Sequence, residues 1–490
     1  MAELAVQLGD PALAPERLES ARPLTRARGA WNDGDITEAI RLARRAGRAG
    51  QRYAARLASE RATLAPGFAL RTPAARARPT PGGGIRAFHV LTNSVPHTAS
   101  GYAFRSHEVL KAQAQAGVSV AAVTRIGYPV TVGLAGASAS DEVDGITYHR
   151  VLTSRLAGLP ATRLDQMVRQ TLPIAEEFAP TVLHTTTNYT NALVTQAIAG
   201  ALSVPWIYEV RGQLEKTWLA SRHPSVQSAA ETSERYRLLR KKETEMMLAA
   251  DHVVTISETL RQDIIARGRA ADEVTVIPNG VDAALLEQRR TPPQAREALG
   301  LPADGFWVGS VSSLVDYEGF DTLIEAIAVL RAEGLDVRGA LVGDGVSRPD
   351  LIAQTRRLGL QEWVRFPGRV PRHQARTWYQ ALDAFVVPRR DLPVTRIVTP
   401  LKPVEAMALG RPVIASDLPA LAEIVSAPGA GKTFHPSNFR ELADHISALQ
   451  CDRDLATAYA RAGRSFARDR TWRTLGLTYA DIYEEVNQTR

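Results

Sequence analysis

The chain has 490 residues, 45% apolar and 23% charged, with a net charge of +7 and one cysteine, Cys451. Such a composition belongs to a globular protein of roughly three domain-sized units. It excludes a membrane-spanning chain, since no apolar run approaches about 20 residues, and an internal disulfide or cysteine metal cluster, since there is one thiol. The polar start does not read as a signal peptide, and a cytoplasmic setting is the default expectation.

Charge is unevenly spread. Residues 1–84 hold 14 arginines against 8 acidic residues. Nucleic acid, an anionic membrane surface and a partner protein are the candidate contacts for such an excess, and a GC-rich coding sequence would also favour arginine. The region lacks the aromatic interleaving that a single-strand binder needs, so no nucleic acid is expected.

Residues 1–70 read as helices rich in Ala, Leu and Arg. The piece from Ala30 to Ala43 resembles the turn and second helix of one tetratricopeptide unit. Gly34 would make the turn, Thr37 or Asp35 the cap, and Ala39, Ile40 and Ala43 an apolar face. An array needs about three repeats, so the expectation is a helical-hairpin extension over residues 1–84, ending in a linker at 71–84. From Arg86 the pattern becomes strand, loop, helix. Expected strands lie at Phe88–Thr92, Ser119–Thr124, Thr181–His184, Trp206–Glu209, His252–Ile256 and Val274–Ile277. After a polar stretch near Arg289–Pro302, a second series follows at Phe306–Gly309, Val337–Val342, Val364–Phe366, Ala384–Val387 and Pro412–Ala415. Alternating strands and helices predict α/β domains with mainly parallel sheets and ligands at the strand carboxyl ends. The end of the chain, Trp472 to Val486, is an amphipathic helix with Leu475, Leu477, Ile482 and Tyr483 among its apolar positions.

The densest chemistry lies between Val398 and Ser416. Thr399, Leu401 and Lys402 lead into an Ala-rich helix with Glu405 in its first turn, closed by Gly410. A lysine beside free N–H groups at a helix start makes an anion site. A carboxylate one turn inside can accept hydrogen bonds from a ribose diol. This segment resembles the donor-nucleotide loop of family 4 retaining glycosyltransferases, where the glutamate holds the ribose. Further blocks carry the same resemblance: Ser100–His107 with Gly101, Tyr208-Glu-Val-Arg-Gly212, Asp251–Glu258, Val276–Asp282, Leu341–Gly345 and Val364–Val370.

The resemblance implies the GT-B fold, two Rossmann-like domains facing a cleft, here with an N-terminal α-helical extension. The implied domains are 85–288 for the acceptor, 289–468 for the donor nucleotide-sugar, and 469–490 as a helix packing back on the first domain. It further implies donor-binding roles for Glu405, Thr399, Leu401, Arg389, Val370 and Gly345. Gly101, Asn188, Glu209 and Arg211 become acceptor-binding candidates. The family carries an acidic residue eight positions before Glu405, where Ile397 stands, and an Arg and a Lys where Ser313 and Glu318 stand. Lys402, with Arg396 or Arg389, is therefore expected to stabilise the departing diphosphate. Where the family often shows His-x-His, only His184 remains, which is the third catalytic candidate, with His97 and His107 as alternatives.

No cofactor or metal is required on this reading, because side chains and backbone can hold the diphosphate. Gly429-Ala-Gly-Lys-Thr433 lacks the spacing of a P-loop, and there is no nucleophile elbow. The implied function is transfer of a sugar from a nucleoside-diphosphate-sugar to an acceptor hydroxyl, with retention, in glycan, surface-polysaccharide or secondary-metabolite synthesis. The alternative is a non-catalytic sugar-nucleotide-binding or scaffold subunit docking through its N-terminal helices. The charge excess adds an expectation of peripheral membrane or protein contact through residues 1–80, at the inner membrane face, where a lipid-linked acceptor would be met.

Overall fold

The computed structural model describes residues 21–74, 83–287 and 290–488. The helical expectation for residues 1–20 and the linker expectation for 75–82 lie outside them. The chain divides into two compact units. One takes the described residues through Thr255, then Leu260–Val276 and the chain from Gly476; the other takes Ile256–Thr259 and Ile277–Leu475. Residues 277–287, assigned above to the acceptor domain, thus fall in the second unit.

The first unit opens with three helices, α1 (Pro23–Asn32), α2 (Ile36–Arg44) and α3 (Gly47–Leu64). Its sheet has eight strands: β1 (Arg86–Leu91), β2 (Ser119–Thr124), β3 (Ser140–Val143), β4 (Ile146–Arg150), β5 (Val182–Thr186), β6 (Trp206–Val210), β7 (His252–Thr255) and β8 (Val274–Val276). Their order is β3-β4-β2-β1-β5-β6-β7-β8, parallel except for the β3–β4 pair. Helices that position the residues discussed below are α4 (Gly101–Gln115), α5 (Pro160–Phe178), α6 (Tyr189–Leu202) and α7 (Glu234–Ala249).

The helical extension is built onto this unit. Gly34 turns the chain at φ +88°, where a side chain would be strained. The Asp35 side chain then accepts from the Glu38 N–H at 2.9 Å, capping α2, whose Ala39, Ile40 and Ala43 are buried as expected. The Thr37 backbone and hydroxyl, and Arg61, all donate to Glu234 at the start of α7, at 2.7–2.8 Å. Arg235 lies 4.3 Å over the Trp31 ring. These helices bury their apolar faces within the unit, so only their outer faces remain for any partner.

The second unit has a six-stranded parallel sheet, order β11-β10-β9-β12-β13-β14. Its strands are β9 (Phe306–Val311), β10 (Val337–Val342), β11 (Val364–Gly368), β12 (Ala384–Val387), β13 (Val413–Ser416) and β14 (Gly431–Phe434). Strand side chains alternate faces. Phe385 and Val387 enter one apolar layer, whereas Ala384 and Val386 enter the other. The helix α8 (Lys402–Ala408) lies on the first of these layers through Val404, Ala406 and Met407. The last helix, α9 (Trp472–Gln488), belongs to the first unit from Gly476 on and buries Tyr479, Ile482, Tyr483 and Val486. Leu477, read as part of its apolar face, is exposed.

Both sheets have a point where strand order reverses. In the first unit β1 is followed by β2 on one side, and β5 takes the other; in the second, β10 and β12 flank β9 in the same way. The carboxyl ends at such points form the crevice where α/β proteins bind ligands.

Candidate functional site

In the second unit the crevice lies past the ends of β9 and β12. Ser312 and Glu318 come from the loop after β9, Arg389 from the segment after β12, and Lys402 from the first turn of α8. The Lys402 Nζ donates to the Ser312 Oγ at 2.7 Å. Arg389, buried, holds the Glu318 carboxylate with two nitrogens at 2.9 and 3.2 Å and donates a third bond to the Val398 carbonyl at 2.9 Å. Burial pushes the half-buried Lys402 ammonium below its ordinary pKa. The Glu318 charge opposes that shift and Arg389 adds to it. Burial acts to raise the Glu318 carboxyl, but Arg389, with a further contribution from Lys402, brings it below its usual value. The expected family cation at position 318 is thus a carboxylate, and the arginine that meets it comes from 71 residues downstream.

Geometry assigns the expected donor residues different tasks. Glu405 accepts from the Tyr379 hydroxyl at 2.9 Å. Thr399 is buried; its carbonyl accepts from the Asn279 side chain at 2.9 Å, and its hydroxyl has no partner. Leu401 precedes α8 without capping it, and α8 spans seven residues with Pro403 in its first turn. Since proline has no N–H, the expected row of free amides is thinner than the motif implied, and the Lys402 ammonium is the main cation there. A Cβ on Gly345 would stand 2.2 Å from the Leu314 carbonyl, so this glycine lets the loops after β9 and β10 cross. Val370 is half-buried against the apolar layer.

Two of the expected phosphate cations are engaged in ion pairs. Arg396 extends into solvent, 53% exposed, and forms an ion pair with Asp391 at 2.5 Å. Arg389, paired as above, braces the loop through Val398. Ile397, in the place of the family's first acidic residue, is buried, and its carbonyl accepts from Ser257 at 3.4 Å.

In the first unit the corresponding polar cluster is closed. Glu209, fully buried at the end of β6, takes Arg105 at 2.8 Å, Arg211 at 3.0 Å and the His184 Nε2 at 3.2 Å. Burial alone would raise this carboxyl, yet the two arginine charges hold it well below the usual range. His184, the third catalytic candidate, is engaged as well. Its Nδ1 faces the Tyr483 hydroxyl at 2.8 Å, its ring stacks on His89 at 4.5 Å, and burial lowers its pKa, so it serves the core. Gln113 closes the network by bonding His89 and Tyr483, both at 2.8 Å. Glu209 and Arg211, expected at an acceptor, spend their charge on each other, with Arg211 also on Ser106 at 2.7 Å. Asn188 caps α6 by accepting from the Thr190 N–H at 3.1 Å. Gly101 opens α4, exposed, with open space where a side chain would stand. His107 is buried between Tyr148 and Asp144, and His97 pairs with Asp141 at 3.0 Å. Arg105 and Tyr379 were missed by sequence reasoning. Arg105 lies inside the Ser100–His107 block, but its partner is 104 residues away.

Residues 100–280 match a glycosyl transferase 4-like domain, and residues 305–452 match glycosyl transferases group 1. A D-inositol 3-phosphate glycosyltransferase of Thermobispora bispora is 29% identical over 257 residues, 50% of this chain and 58% of its own. A glycogen synthase of Mycobacterium tuberculosis is 28% identical over 244 residues, 49% of this chain and 56% of its own. The chain thus spans little more than half the length of these relatives. Among solved structures, sucrose-phosphate synthase from Thermosynechococcus elongatus aligns with a TM-score of 0.65 at 19% identity, covering 83% of this chain and all of its own. The Anabaena protein HepE, in complex with UDP, aligns at 0.63 and 19%, covering 82% of this chain and all of its own.

Proposed function

We propose that this chain, which has the GT-B fold and carries a glycosyl transferase 4-like domain and a glycosyl transferases group 1 domain, moves a sugar from a nucleoside-diphosphate-sugar to an acceptor hydroxyl with retention. The observation that carries the reading is Lys402, an ammonium at the strand-order reversal of the second sheet whose hydrogen bond goes to a single hydroxyl, Ser312. As the sugar–phosphate bond breaks, negative charge builds on the leaving diphosphate. A fixed cation in a half-buried site lowers that barrier because it needs no reorganisation. Glu405 takes the ribose hydroxyls, with Tyr379 orienting its carboxylate. Thr399 and Leu401 offer the loop that lies along the phosphates, and the Glu318–Arg389 pair holds that loop through Val398. Gly345 and Val370 lie on loops that would meet the base. The departing phosphate assists removal of the acceptor proton, and no metal is needed.

The acceptor lies at the strand ends of the first unit, near Gly101 and Asn188, and is a glycan or a lipid-linked sugar met at a membrane face. A second reading, a sugar-nucleotide-binding subunit without transfer, draws on Glu318, which places a carboxylate where a second cation would help the leaving group. A nucleotide-release assay separates them, offering UDP-, GDP-, ADP- and dTDP-sugars to the protein and to Glu405→Ala. Release from one donor that disappears in the variant supports transfer. Tight donor binding with no release, with acceptor sugars supplied, supports the binding subunit.

A further inference from the structure

Two exposed features of the first unit stand outside the donor chemistry. The first is an apolar rim. Val130, Val132 and Leu134, in the loop after β2, are 46%, 48% and 43% exposed, and Leu152 and Leu159, in the segment between β4 and α5, are also exposed. These segments adjoin: the Gly127 N–H donates to the Val151 carbonyl at 2.8 Å, and a Cβ on Gly127 would meet Thr131 and Leu156. Exposed apolar side chains gathered on adjoining segments mark an interaction site. The second feature is a row of cations. Arg48, Arg52 and Arg56 recur every four residues on α3, so they share one face, and all three are exposed. Arg44 and Arg45 extend the row at the preceding turn. The neighbouring acids are occupied: Glu38 pairs with Arg41, Asp35 caps α2, and Glu60 faces Arg235. One turn beyond Arg56, the Ser59 hydroxyl accepts from the Ala161 N–H at 3.0 Å, which brings the C-terminal end of the row towards the segment that carries Leu159.

We propose that this face of the first unit docks on an anionic lipid bilayer, with Val130, Val132 and Leu134 entering the headgroup boundary and Arg48, Arg52 and Arg56 lying over lipid phosphates. Two weak signals together make a useful membrane anchor where either alone is marginal. Among the described residues, neither the arginine row nor the apolar rim carries an exposed aromatic side chain. Protein-interface hot spots centre on aromatic anchors, with Leu and Val under-represented, and a single-stranded nucleic acid needs aromatic platforms. A charged row beside aliphatic loops fits a bilayer instead. The inference deepens the membrane contact in the proposed function, relocating half of it from the N-terminal helices to the loops after β2 and β4.

The test is co-sedimentation of the full chain with phosphatidylglycerol/phosphatidylcholine vesicles and with phosphatidylcholine alone. The proteins are wild type, the triple variant Arg48→Glu, Arg52→Glu, Arg56→Glu, and the triple variant Val130→Asp, Val132→Asp, Leu134→Asp. All the substituted side chains are exposed, and a melting curve for each variant checks its fold. Wild type should bind the anionic vesicles at physiological salt and the neutral ones at least tenfold more weakly. The arginine variant should lose at least tenfold in affinity together with the salt dependence, and the loop variant a similar factor at every salt concentration. No binding by wild type, or unchanged binding by either folded variant, overturns the proposal. Nucleotide release is measured in solution without vesicles, so failure of the docking surface and failure of the transferase reading are told apart.

Discussion

The two strand-order reversals are built from the same kinds of side chain to opposite ends. In the first unit, Glu209 is ringed by Arg105, Arg211 and His184, and the ring is backed by Tyr483 and Gln113. One carboxylate is shared by two arginines and a histidine and is shielded from water, so the cluster reads as architecture. In the second unit, Glu318 and Arg389 form one closed pair, while Lys402 beside them bonds a single hydroxyl and the buried Thr399 hydroxyl bonds nothing. A perturbed, half-buried cation in a crevice is a candidate for chemistry, whereas a saturated network is more often structure.

The comparison can be broken at several strengths. Glu209→Gln should be the most damaging change. It leaves two arginines in a buried site without their counter-charge, at a cost of about 3–5 kcal/mol, and thermal or urea unfolding would read it. A stable variant would mean that the cluster is not the keystone described. Lys402→Ala should do the reverse: near-native melting, with nucleotide release reduced about 10²–10³-fold. Intact turnover would move the leaving-group charge elsewhere. Glu405→Ala should weaken donor binding by about ten- to a hundredfold, the range for hydrogen bonds to a charged group, as read by calorimetric titration. Equal donor affinity would remove it from the ribose.

The mildest change tests the electrostatics alone. Because burial lowers the Lys402 pKa, its ammonium should be lost at lower pH than that of an ordinary lysine. The release rate should therefore decline on the alkaline side, beginning below the usual lysine range. Lys402→Arg, whose guanidinium stays charged, should flatten that limb while lowering the rate at neutral pH only modestly. An alkaline limb that persists in the arginine variant would assign it to another group.

Much of this could be read from sequence where the signal is local. The apolar runs of β1, β2, β5 to β13 and the Lys402–Glu405 loop are local. The strands β3, β4 and β14 were not foreseen: Ser140–Val143 is half-exposed and polar, and Gly431–Phe434 follows a glycine-rich turn that resembled a broken phosphate loop. Glu318 and Arg389 were each singled out, but their union was not, because a pairing across 71 residues leaves no periodicity. The setting of His184 was hidden for the same reason. Its partners Glu209 and Tyr483 lie 25 and 299 residues away, and only the fold brings them together.

The most direct measurement is a calorimetric titration of UDP, GDP, ADP and dTDP into the wild-type protein and Lys402→Ala. If Lys402 is the cation for the leaving group, one diphosphate binds the wild type and binds the variant at least tenfold more weakly, with both proteins melting alike. Equal affinity in the two proteins would contradict the account.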